Sequence, residues 1–236
     1  MACVKDRVNI NGFQIYPFRD KKEFIEYLAA GNWNSILVAM NAEKVMQQNR
    51  ELQEIVNRNI GYPDGIGVVM ALYRRGEISR KIAGSEFWLD IIEEFCREKT
   101  FYFVGNNAVA VQNTVQKLKR YYPGIEIAGY SSYNGESEIS DKLMLDIKQS
   151  KPDIVFIAMD SPRQELLMQQ MKSRQKALYM GLGESFYVYG GLKGKVPDVW
   201  IHMDLEWLYR LFTRPGNILK KRVLVKFFYR LLLNKF

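Results

Sequence analysis

An α/β fold, with a largely parallel sheet covered by helices on both faces and a helical C-terminal appendage, is what this sequence predicts. Three observations point to it. Short apolar runs alternate with helical patterns, glycine-bearing turns follow or nearly follow three of the runs, and almost all of the net charge lies after Asp204.

Taken in order, residues 34–40 form a short apolar run that reads as a buried strand. Across 42–59, Val45, Leu52, Ile55 and Val56 fall near one helical face, so a single helix is expected. Residues 61–67 have the composition of a turn, and 68–73 open a very apolar helix. A further helix is expected over 85–97, with Phe87, Trp88, Ile91, Ile92 and Phe95 inward. Residues 100–104 are a strand ending at Gly105, and 108–121 the helix after it. Strands over 125–130, 153–158 and 177–180 alternate with helices over 140–150 and 163–172. Beyond Pro197 the pattern changes to two helices, 205–212 and 218–236, separated by Pro215-Gly216. The expected division is a core over 1–196 and an appendage over 197–236.

Composition narrows the function. The chain has 236 residues, 47% of them hydrophobic, enough for a sizeable core and against disorder. The first 19 residues show no secretory pattern, and no run has the roughly 18 apolar residues of a membrane span. Two cysteines without metal-ligand spacing argue for a reducing cytosol, and a lone histidine, His202, excludes a zinc site built on paired histidines. Of the net charge of +8, residues 205–236 carry +7 through eight cations and one acid. Within 218–236 those cations interleave with Leu219, Val223, Phe227, Phe228 and Leu231, the pattern of a helix at an anionic lipid interface. A core-packing helix or a subunit contact has the same pattern, so self-association stays open. Nucleic acid is not the expected partner, because the basicity is confined to one terminal apolar segment.

Several residues could carry chemistry. The turns at Gly65, Gly105 and Gly183 would gather at the carboxyl edge of a parallel sheet, where backbone amides can approach phosphate. Asp64, between Pro63 and Gly65, is either the N-cap of the apolar helix or a general base at the mouth of a cleft. Ser161-Pro-Arg-Gln-Glu165 opens a helix in which Ser161 could cap, Pro162 suits the first position and Glu165 the positive dipole end. Gln164 is not needed for that start and could equally point across the cleft edge.

Asn41-Ala-Glu-Lys44, Pro63-Asp-Gly-Ile-Gly-Val68, Ser161-Pro-Arg-Gln-Glu165, Gly181-Leu-Gly183 and Leu205-Glu-Trp-Leu-Tyr-Arg210 occur in this order. Together they resemble the bacterial glycosyltransferases of the WecG/TagA/CpsF family (glycosyltransferase family 26). The resemblance implies a Rossmann-like core and transfer of N-acetylmannosamine, its uronic acid or a related sugar. The donor would be a UDP-sugar and the acceptor a polyprenyl-diphosphate-linked glycan, at the cytoplasmic face of the cell membrane. It implies no metal and no cofactor. Asp64 would be the base, Gln164 an active-site polar residue, and Asn41 part of the cleft lining. Glu165 belongs to the same stretch, and Lys81, Arg210, Arg214 and Arg222 are the expected cations for the departing diphosphate.

The chain departs from the family pattern at Ala39, where Thr is common, at Asp160, where Gly is usual, and at Lys81 and Glu86 in the Arg-x-x-Gly-Ser-Asp stretch. Tyr187 stands where the family has an Asp near the nucleotide, with Glu184 three residues earlier. These positions bear on donor recognition. The competing reading is a nucleotide-binding, non-catalytic module at a membrane surface on the same fold.

Overall fold

The computed structural model describes residues 6–47, 49–133, 137–194, 197, 199–200, 209, 218–233 and 236. Eight strands form one sheet: β1 (Val8–Ile10), β2 (Phe13–Ile15), β3 (Ile36–Met40), β4 (Ile60–Pro63), β5 (Thr100–Gly105), β6 (Glu126–Ser132), β7 (Ile154–Ala158) and β8 (Leu178–Gly181). Their spatial order is β1-β2-β4-β3-β8-β7-β5-β6, and only the β1–β2 hairpin is antiparallel. The expected α/β architecture with a largely parallel sheet is the one observed.

Alternate residues of the central strands enter two separate cores. Val38, Val104, Val155 and Tyr179 face one side, and Leu37, Phe103, Phe156 and Leu178 the other. Burial on both faces is why these strands appear in the sequence as unbroken apolar runs rather than alternating ones. Around the sheet lie α1 (Lys21–Ala29), α2 (Ala42–Val45), α3 (Arg50–Asn57), α4 (Ile66–Arg74), α5 (Gly84–Phe95) and α6 (Ala108–Tyr121). They are followed by α7 (Ser137–Ser150), α8 (Arg163–Arg174), α9 (Ser185–Tyr189) and, after a segment outside the described residues, α10 (Ile218–Leu232).

Three expectations need correction. The single helix over 42–59 is two, because Met46 closes α2 and the Asn49 side chain accepts from Leu52 N to start α3. The turn over 61–67 contains a strand, β4, paired with β3 from Leu37↔Ile60 to Met40↔Pro63. Gly61 is needed there, since a Cβ would lie 2.8 Å from Val56 Cγ1 and 3.1 Å from the Gln14 carbonyl. Asp64 does not cap α4. Gly65 occupies the cap position and no side chain bonds to the helix start.

The last helix packs on α2 and α4. Phe227 and Leu231 are buried in the same core as Val45, Val68 and Leu72. Phe227 Cε1 would be 2.9 Å from a Cβ on Gly67, so this glycine admits the ring. Arg230 Nη1 donates to Asn11 Oδ1 at 2.9 Å, tying α10 to the β1–β2 turn. The predicted first appendage helix, 205–212, lies outside the described residues apart from Tyr209.

Phe227→Ala is expected to lower stability by about 3 kcal/mol or more, the usual cost of emptying a buried aromatic site. Chemical denaturation checks it, and an unchanged midpoint would mean that α10 is not part of the folded core.

Candidate functional site

The parallel arrangement delivers the carboxyl ends of β3, β4, β5, β7 and β8 to one edge. Asn41 and Asp64 emerge side by side there, because Met40 and Pro63 are register partners. The Asp64 amide donates to the Met40 carbonyl at 3.0 Å, which holds the two turns together. Asn41 accepts from Lys44 N at 3.0 Å and caps α2. Gly65 lies against it: a Cβ there would be 3.3 Å from Asn41 Cβ.

The half-buried Asp64 carboxylate faces the start of α5. Its Oδ1 accepts from Gly84 N at 2.7 Å, a bond from an otherwise unpaired first-turn amide. Gly84 is constrained in turn, since a Cβ would sit 2.7 Å from the Tyr62 hydroxyl and 3.5 Å from Asp64 Oδ1. Tyr62 is fully buried, and its hydroxyl has no hydrogen-bond partner among the described residues. Burial, and then the Asp64 charge, push the phenol well above its ordinary value, so it stays protonated. Lys81 is held at the same turn, because the next amide, Ile82 N, donates to the Pro63 carbonyl at 2.8 Å.

Across the β3–β8–β7 edge runs a buried polar chain. Lys44 Nζ donates to Glu165 Oε1 at 2.7 Å, with both side chains almost wholly inside. The same oxygen accepts from Gln164 Nε2 at 3.0 Å, and Gln164 Oε1 accepts from Gly183 N at 3.1 Å. Gln164 lies directly over Gly181, where a Cβ would be 2.6 Å from its Nε2. Its amide is thus fixed at this edge between Glu165 and the Gly183 turn. Burial alone would raise the Glu165 carboxyl. The Lys44 ammonium and its hydrogen bond, then Gln164 and the neighbouring Ser161 hydroxyl, outweigh that and hold it below its ordinary value. Ser161 lies near enough to bias the carboxylate but outside hydrogen-bond geometry: its Oγ and Glu165 Oε2 are both buried without a partner among the described residues. The expected Ser161 cap is therefore corrected, and Pro162 occupies the cap position of α8 rather than the first helical one.

The remaining predicted residues line a neighbouring part of the edge. Gly105 ends β5 so tightly that a Cβ would be 2.6 Å from Val111 Cγ2 and 3.2 Å from Phe186. Gly183, at φ +58°, turns the chain into α9. Glu184 pairs with Lys193 Nζ at 2.6 Å, and the same ammonium sits 4.8 Å above the Tyr187 ring. Connections leave β7 toward β8 and β5 toward β6, so the neighbouring ends of β5 and β7 form a switch point, where open α/β sheets take ligands. Arg222 is exposed on α10. Arg210, Arg214 and His202 lie outside the described residues. Among the described residues no group of three or more His, Cys, Asp or Glu is arranged to hold a metal.

The sequence model of the glycosyl transferase WecG/TagA/CpsF family matches residues 8–236. The chain belongs to this family. It is a glycosyltransferase, and the edge just described lies on the same carboxyl side of the sheet where such folds bind substrates. Three residues of this edge have no role in a reading of the sequence. Lys44 lies within the Asn41-Ala-Glu-Lys44 stretch, but its pairing with Glu165 leaves no sequence signal, Tyr62 sits in an apparent turn, and Lys193 stands in the glycine-rich stretch Gly190-Gly-Leu-Lys-Gly194.

Lys44→Met should destabilise the glycosyltransferase by about 3–5 kcal/mol at neutral pH, because Glu165 would remain buried without its cation. The sign follows from the lowered carboxyl. Its stabilisation is present in full above the ordinary value of 4.5 and is lost as pH falls through the lower folded-state value. The stability gap between native and variant should thus narrow in acid, which denaturation at pH 7 and pH 4 would test. A gap independent of pH would detach the effect from Glu165.

Proposed function

We propose that the protein is a metal-independent, inverting glycosyltransferase moving a hexose, N-acetylmannosamine or a relative of it, from a UDP-sugar to a polyprenyl-diphosphate-linked acceptor at the cytoplasmic membrane surface. The observation that carries this is Asp64: a carboxylate at the carboxyl edge of the sheet, oriented by the Gly84 amide and adjoining the Asn41 turn. Such a group can take the proton of an acceptor hydroxyl as that oxygen bonds to the anomeric carbon. The bond from the anomeric carbon to the UDP oxygen breaks on the opposite face, and the electron pair leaves with the diphosphate.

The ends of β5 and β7, with Gly105, Gly183, Glu184 and Tyr187 around them, suit the nucleotide. The close approach at Gly105 and the left-handed turn at Gly183 bring backbone near the ends of these strands, where helix starts and turns of this fold receive phosphate. Lys81 precedes the residue whose amide bonds the Pro63 carbonyl, and it suits the leaving charge together with Arg210 and Arg214. Asn41 and Gln164 then bound the sugar from two sides. Tyr187, paired with Lys193, takes the position of the family's Asp, so an aromatic face and a cation replace a carboxylate next to the nucleotide.

Membrane recruitment rests on the outward face of α10. Val225 and Tyr229 are exposed there with Arg222 and Lys226 beside them, and no helix among the described residues is long and apolar enough to cross a bilayer.

Two experiments test the reading. Asp64→Asn should preserve folding and UDP binding while lowering turnover of a UDP-sugar with a lipid-linked acceptor by about 10²-fold or more. Full turnover would reduce Asp64 to a structural partner of α5, and UDP binding with no turnover in the native chain would favour the non-catalytic module. Replacing Arg222 and Lys226 together by Glu should weaken binding to phosphatidylglycerol vesicles by about 10-fold or more at low salt, since each cation contributes about 1 kcal/mol near an anionic surface. Equal sedimentation with vesicles would remove α10 from the membrane contact.

A further inference from the structure

We propose that the groove between α4 and α10 is a binding site for a single aliphatic chain, that of the lipid carrying the acceptor. This rests on the lipid-linked acceptor proposed above and adds where its chain goes.

The groove encloses about 730 Å³, within the range of small-molecule sites, and its exposed lining is overwhelmingly apolar. Val69, Met70 and Tyr73 of α4 form one wall, Phe228 and Leu232 of α10 the other, and Ile78 closes one end. Tyr73, Ile78 and Leu232 are 74%, 73% and 72% exposed. Large apolar side chains left in water around one concavity are a costly arrangement for a surface with no partner.

Three features select a lipid chain as the occupant. The groove is concave and floored by the buried Leu231, a shape that fits a single chain rather than a flat bilayer surface. Arg74 lines the groove and the exposed Arg75 follows it, so the apolar trough is flanked by cations, the complement of a chain that ends in diphosphate. The trough also runs along the helix that begins beside the proposed reaction centre. Helix α4 starts two residues after Asp64, and at about 1.5 Å per residue its wall residues lie roughly 7 to 15 Å along the axis from that carboxylate. A hexose joined to a diphosphate covers a comparable length. An acceptor hydroxyl at Asp64 and its chain in the trough would then lie along one helix.

The test uses the full chain in buffer without membranes or detergent. Titration calorimetry with farnesyl diphosphate and with inorganic pyrophosphate should show the farnesyl compound binding about 10-fold or more tightly, the expected effect of burying several methylene groups. Tyr73→Ser and Leu232→Gln should each cut that preference several-fold, and together bring it toward one. Both side chains are exposed, so folding is not at risk, and thermal melts verify it. Equal binding of the two probes overturns the proposal, as does a preference that survives both substitutions. Variants that lose vesicle binding without any farnesyl preference in the native chain would make the groove a bilayer contact, and also overturn it.

Turnover of acceptors with the same sugar-diphosphate head and either a propyl or a farnesyl tail separates this proposal from the one beneath it. A farnesyl advantage in kcat/KM that falls toward one in the double variant supports the groove. If neither acceptor is glycosylated while farnesyl diphosphate still binds through Tyr73 and Leu232, the chain site stands and the transfer reading fails.

Discussion

A lysine and a glutamate 121 positions apart meet at 2.7 Å inside this protein, and the geometry of the carboxyl edge depends on them. Lys44 stands in α2, the short helix that follows β3, and Glu165 in the first turn of the helix that follows β7. Their contact spans β8, which lies between those strands. Two charges removed from water lose hydration worth several kcal/mol each, and a single Coulombic contact recovers that only with further hydrogen bonds. Here the additional bonds pass through Gln164 to the Gly183 amide. Positioning is thus cooperative. The ion pair locates Gln164, Gln164 locates the Gly183 turn, and the helix capped by Asn41 carries the lysine. A loss at one member leaves buried polar groups unpaired at the others, which costs more than the contact itself.

The elements legible in the sequence are those whose composition answers to a single demand. β3, β5 and β7 are buried on both faces and contain almost nothing but apolar residues, so period and length identify them. β4 serves two demands at once. It must be a strand pairing with β3, and it must let Val56 and the Gln14 carbonyl approach closely. Gly61 and Pro63 meet the second demand and hide the first. The break between α2 and α3 is obscured for a related reason: Val45, Leu52 and Val56 enter the same core from two helices, so their spacing mimics one. At the first strands, three residues per strand give too little pattern for period to show.

The site was legible where a residue's type is unusual for its place. A carboxylate between proline and glycine, an asparagine after a strand and glycines at strand ends all stand out, and the structure gathers them on one edge. What they bond to was not legible. Asp64 resembles a cap for the helix beside it, yet its partner is Gly84, 20 positions later, because β4 ends facing the start of α5. Gln164 looks free to reach outward, yet its amide is buried and bonded between Glu165 and the Gly183 amide. Long-range pairing decides these roles, and residue type carries no record of the partner.

Gly67 connects the two ends of the proposed reaction path. A Cβ at that position would sit 2.9 Å from Phe227, closer than carbon atoms pack, so a side chain there would displace the ring or the helix that carries it. With glycine the two helices lie in contact, and the apolar surface they share keeps a fixed offset from the Asp64 turn that begins α4. A flexible basic tail could hold an enzyme at a membrane, but it would leave the distance from the lipid to the base undefined. Packing through Phe227 and Leu231 removes that freedom. On the proposed reading, the same contact that completes the core sets how far from the lipid chain a hydroxyl must lie to reach the base. Choice of acceptor then follows from a helix packing distance as much as from any group that touches the sugar.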